Sequence, residues 1–141
     1  MIVDTALLDT LTKKAKESPR LRMHYDLRDS AEDTSQRMLN AIEPGTVIPI
    51  HRHTMTSETV TCLRGRVCEI IYMEQDGKLK EVVRCEMTPG GVNALIQVPM
   101  GAWHTCRSLE SGSVILEFKN TKYDPEMTEE LWRGKMTDED V

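Results

Sequence analysis

Three imidazoles and one carboxylate sit at spacings that let them converge. His51 and His53 are two residues apart, so on an extended strand both side chains leave the same face. Four residues then intervene before Glu58, enough for the chain to turn and aim a carboxylate back at that face. His104 follows Pro99 and Gly101, which shape a tight turn ahead of the strand it heads. Such a set suits one divalent transition metal: zinc, iron, manganese or nickel. Three or four protein ligands leave open positions on a metal that accepts more, which favours catalysis over a closed structural site. A single strand histidine is most often a hydrogen-bonded bystander. It is the joint pattern of His51, His53, Glu58 and His104 that points to a metal.

A second group of polar residues precedes the first. Arg22, His24, Tyr25, Gln36, Arg37 and Asn40 are spread over two short extended segments. Arg22, Gln36, Arg37 and Asn40 are the candidate substrate-binding residues, because planar multi-donor groups suit phosphate, carboxylate or sugar hydroxyls. The bland alternative for the arginines is a solvated strand face. His24 and Tyr25 are the candidate catalytic residues; an imidazole titrates near neutral pH and can shuttle a proton. The two are consecutive, so a regular strand turns only one of them inward. By the same alternation Cys62 and Cys106 share strand parity with Glu58 and His104, and an apolar stripe of Val60, Ile70, Leu95, Val98 and Leu116 is expected to line the interior.

These residues need a scaffold of short strands. Turn signals at Pro44-Gly45, Asp76-Gly77, Pro89-Gly90-Gly91 and Ser111-Gly112 punctuate strands expected near 20–27, 35–42, 46–52, 57–64, 66–73, 78–87, 92–98, 102–108 and 113–119. Asp76-Gly77 is the strongest two-residue hairpin signal among them. Ahead of the strands, Leu7, Leu8, Leu11 and Ala15 follow helical spacing, Asp4 or Thr5 can cap, and Ser18-Pro19 stops the helix. The expected organisation is a helical extension over 1–18, one β domain over 19–121, and a tail over 122–141 with a short helix near 125–132.

Composition limits the function. The 141 residues carry 23 acidic and 18 basic side chains, a net charge of -5, which argues against a nucleic-acid partner. No run is long and apolar enough for a membrane span, and the start lacks a signal peptide's basic-then-apolar pattern, so a cytoplasmic protein is expected. Cys62, Cys68, Cys85 and Cys106 form no Cys-x-x-Cys pair and read as small apolar strand residues.

The motif residues carry a resemblance. From Gly45 to Gly65 the chain matches the first motif of the cupins, G-x5-H-x-H-x4-E-x6-G, at every position. From Pro99 to His104 it is similar to their second motif, although seven residues rather than five separate Gly91 from Pro99, and Ser108 stands where asparagine is usual. Residues 18–25 and 36–41 together with the histidine motif resemble the WbuC-like cupin-fold metalloproteins, with Asp26 and Arg28 in places where that group commonly has asparagine and histidine. The resemblance implies an all-β cupin double-stranded β-helix, a jelly-roll barrel with a short N-terminal helix. It further implies a homodimer binding a small-molecule substrate. The chemistry implied is isomerase- or epimerase-like, on a sugar, sugar phosphate or nucleotide sugar of bacterial polysaccharide metabolism. An iron-dependent dioxygenase and a non-catalytic sugar-binding or regulatory module are the alternatives.

Overall fold

The computed structural model describes residues 1–121 and 130–134. Helix α1 spans Thr5–Glu17, and ten strands follow: β1 Arg22–Asp26, β2 Gln36–Ile42, β3 His51–Arg52, β4 Glu58–Arg64, β5 Val67–Gln75, β6 Lys78–Met87, β7 Ile96–Val98, β8 Trp103–Ser108, β9 Ser113–Lys119 and β10 Glu130–Leu131. They form two antiparallel five-stranded sheets, ordered β1-β2-β9-β4-β7 and β10-β3-β8-β5-β6. This is the all-β jelly roll, built as two facing sheets whose hydrogen-bond ladders do not join among the described residues.

Asp4 starts α1 by accepting from the Leu7 N–H at 3.0 Å, and Ser18 ends it. The helix buries Leu11 and Ala15 against Leu39, Ala41 and Val114 on the outer face of the first sheet. Burying a side chain such as Leu11 stabilises by about 1.5–3 kcal/mol, more than a short helix gains from its own propensity. The layer between the sheets is a second cluster, Ile42, Val60, Cys62, Val67, Met87, Cys106 and Ile115. A third cluster, Cys68, Ile70, Tyr72, Leu79 and Trp103, lies on the outer face of the second sheet, with Trp132 packed on it.

Each of the nine expected strands contains a strand, with differences at two places. Residues 46–50 join no ladder: Pro49 has no N–H to donate, and the segment is tied by the Thr105 hydroxyl donating to the Ile48 carbonyl at 2.6 Å. Residues 92–95 likewise lie outside the ladder, with Val92 and Leu95 exposed. The tenth strand, β10, pairs with β3 at Leu131↔His51 and Glu130↔Arg52. The rest of the expected tail helix, residues 125–129, lies outside the described residues. Asp76 (φ 53) and Gly77 (φ 74) make the β5–β6 hairpin turn with positive φ at both positions.

The expected inward stripe is corrected in part. Val60 lies between the sheets, but Ile70 faces the outer cluster beside Trp103, Leu116 lies under α1, and Leu95 is exposed. Both outer faces carry apolar cover, so hydrophobic alternation does not mark the inside.

Candidate metal centre

Strand pairing assembles the centre. His51 on β3 lies directly across from His104 on β8, and Glu58 opens β4 in the facing sheet. The turn before His104 is anchored to the motif itself, with the Gly101 N–H donating to the His53 carbonyl at 2.8 Å. Gly65, which closes the first motif, has φ 80, and a Cβ there would sit 2.7 Å from the Ser113 Cα. Glycine is therefore required at this crossing of β4 and β9 by both backbone shape and space.

One donor atom from each of His51, His53, Glu58 and His104 lies within 4.8 Å of the others. Glu58 Oε2 is 2.7 Å from His53 Nε2 and 3.3 Å from His104 Nε2. The ring centroids of His51 and His104 are 4.3 Å apart. His51 Nδ1 lies 2.8 Å from the Pro49 carbonyl oxygen and His104 Nδ1 lies 2.9 Å from that of Ala102. A carbonyl only accepts, so each Nδ1 carries a proton and Nε2 is the ring nitrogen left to face the cluster. That second contact is the one that orients metal-bound imidazoles. The donor set and its orientation fit a divalent transition metal.

Electrostatics in the cluster agree with its geometry. Burial, with the neighbouring His104 charge, pushes His51 down to about 3, which keeps it a neutral ligand. Burial alone would also lower His104, but the hydrogen bond and charge of Glu58 prevail and hold it up at about 9. Burial works against the Glu58 charge, yet the two imidazoles hold its carboxyl well below the usual range. The carboxylate and the His104 proton thus stabilise one another, and a metal bound there would have to displace that proton.

The cluster lines one wall of a cleft of about 400 Å³ between the sheets. Of the six other sequence candidates, Arg22, His24, Gln36 and Asn40 also line it. Tyr25 and Arg37 do not. Tyr25 alternates away from His24 and packs in the cluster beneath α1. Arg37 braces the loop before β2, with Nη1 donating to the Ser35 carbonyl at 2.7 Å and Nη2 to Asp33 Oδ2 at 2.9 Å. Asp26 and Arg28 form a local ion pair with Nε–Oδ2 at 3.0 Å, away from the cleft. Cys106 lines the cleft, whereas Cys62 is in the core.

Two cleft carboxyls escaped the sequence reading. Glu69 on β5 is 2% exposed and hydrogen-bonds Cys106. Glu117 on β9 is hydrogen-bonded to Asn40. Burial and the charge of Glu58 push both up to about 8, so each carries a proton at neutral pH. The signal available was a glutamate flanked on both sides by apolar residues, between Cys68 and Ile70 and between Leu116 and Phe118.

A family model described as "Domain of unknown function (DUF6016)" matches residues 3–85. No curated protein matches the sequence. Among solved structures the chain is similar to the capsular polysaccharide assembling protein CapF from Staphylococcus aureus, with TM-score 0.65, 17% identity, and cover of 78% of this chain and 30% of that one. It is also similar to an oxalate oxidase in complex with glycolate (TM-score 0.57, 18% identity, 74% and 53% covered). A third likeness is to the RmlC epimerase of Mycobacterium tuberculosis (TM-score 0.56, 16% identity, 77% and 64% covered). The chain spans less than two thirds of each of these proteins. At such identities the likeness shows the fold, and the fold is that of the cupins. Among the described residues no helix is long and apolar enough to cross a membrane.

Proposed function

The chain belongs to the DUF6016 family, and we propose that it is a divalent-metal enzyme with isomerase- or epimerase-like chemistry on a sugar, sugar phosphate or nucleotide sugar. One observation carries this reading: four donor atoms within 4.8 Å of one another stand on the wall of a cleft large enough for a small polar molecule. His51, His53, Glu58 and His104 would hold the metal. The ion would act there as a Lewis acid on a substrate oxygen.

The chain's own groups provide the rest. Glu69 and Glu117 are carboxyls poised near neutral pH beside the ion's place, where a proton donor or acceptor works best. Asn40 fixes the Glu117 carboxyl, and His24 offers a third proton carrier on the β1 side. A sugar phosphate isomerase and a capsular polysaccharide assembling protein among the structural neighbours support the substrate class.

The test is elemental analysis of untagged protein purified without added metal, followed by proton NMR of candidate sugar phosphates in D2O. Near-stoichiometric zinc, manganese or nickel, with deuterium entering the carbon beside a substrate carbonyl, is the expected result. Iron with oxygen consumption would replace this reading by the dioxygenase alternative. Metal with ligand binding but no exchange would make the protein a binding module. Failure to take up any metal would overturn the assignment.

A further inference from the structure

Lys119 pairs in register with Gln36 on one side and with Glu58 on the other. The inner face of the first sheet thus carries an amide, an ammonium and a metal-cluster carboxylate in one row across β2, β9 and β4. Gln36 is 4% exposed, lines the cleft, and its Oε1 has no hydrogen-bond partner. A buried acceptor in that state calls for a donor brought by a ligand. Arg20 and Arg22 line the same cleft.

Resting on the metal-enzyme reading for the remaining end of the substrate, we infer that the cleft is built for a hydroxylated acid. Its carboxylate or phosphate would lie among Lys119, Arg22 and Arg20, and one hydroxyl would donate to Gln36 Oε1. The charge balance supports this. Burial, aided by the Glu58 charge, pushes Glu69 and Glu117 up to about 8, so those two are neutral at pH 7, while Lys119, Arg22 and Arg20 place three cationic side chains in the lining. An oxyanion entering the row is therefore attracted, and arginine and lysine both suit carboxylate and phosphate.

The test compares D-ribose, D-ribonate and D-ribose 5-phosphate by calorimetry on chelator-treated protein and again after zinc is restored. At least one acid should bind the metal-free protein about tenfold or more tightly than ribose, the difference of one charge-assisted contact. Which acid wins separates carboxylate from phosphate. Lys119→Met and Arg22→Met should each reduce that preference severalfold, and Gln36→Leu should weaken the winning acid relative to inorganic phosphate. If a variant fails to fold, salt serves instead: added sodium chloride should weaken the acid and leave ribose unchanged. Equal binding of ribose and both acids, no binding of any, or an unchanged preference in folded Lys119→Met and Arg22→Met would overturn the inference. Acid preference without zinc uptake would refute the metal reading and leave this one standing; zinc uptake without acid preference would do the reverse.

Discussion

Glu58 Oε2 approaches His53 Nε2 at 2.7 Å, and the same oxygen reaches His104 Nε2 at 3.3 Å, so one carboxylate oxygen serves an imidazole just past the end of β3 and another on β8. The three side chains are almost wholly buried. A buried ion pair that loses one partner is destabilised by about 3–5 kcal/mol, because the other charge is left uncompensated.

Glu58→Ala should therefore destabilise the metal-free protein by several degrees in melting temperature, with Glu58→Gln milder because the amide still offers an acceptor. Both should lose most of the stabilisation produced by added zinc. In wild-type protein that stabilisation is about 2.7 kcal/mol at a hundredfold excess over Kd. Thermal melts with chelator and with zinc measure both effects. A full zinc-induced shift in Glu58→Gln would remove Glu58 from the ligand set.

Glu69 gives a pH signature of opposite sign to an ordinary surface carboxylate. Burial first, and then the Glu58 charge, raise it from 4.5 to about 8. The folded state then holds a proton that the unfolded chain has released. This contribution to stability is complete below 4.5 and is lost as pH rises toward 8, at up to about 1.4 kcal/mol per pH unit for one group. In chelator, Glu69→Gln carries no such titration. Its melting temperature relative to wild type should rise between pH 5 and pH 8 by a few degrees, whatever constant offset the substitution brings. A difference independent of pH would show that Glu69 is ionised throughout that range.

The sequence made the cluster legible because its members lie in two short segments and obey strand parity: His51 and His53 do face one side, and Glu58 and His104 meet them. The helix and the Asp76-Gly77 hairpin were legible because their signals are local. Glu69 and Glu117 were not, since each is one carboxyl on a separate strand and only the packing of two sheets brings them to one cleft. The inward stripe failed for a related reason. Helix α1 covers one outer face and Trp132 packs on the other, so Ile70 and Leu116 are as apolar as the true interior. Strand β10 depends wholly on its partners in β3 and has no pattern of its own.

Leu39 and Tyr25 separate support of the fold from work at the cleft. Leu39 is fully buried against α1, on the face of β2 opposite Met38 and Asn40, which line the cleft. Leu39→Ala should cost about 2–5 kcal/mol, the range for deleting a packed aliphatic side chain. Zinc stoichiometry at temperatures where the variant is folded should not change, because none of the four candidate ligand side chains belongs to the cluster around Leu39. Tyr25 shares the cluster beneath α1, so Tyr25→Phe should keep both the melting temperature within a few degrees and the zinc content. Denaturant melts paired with elemental analysis check the two variants together. Loss of zinc from folded Leu39→Ala would mean that α1 packing reaches the metal ligands through the sheet, and the division between the two faces of β2 would have to be abandoned.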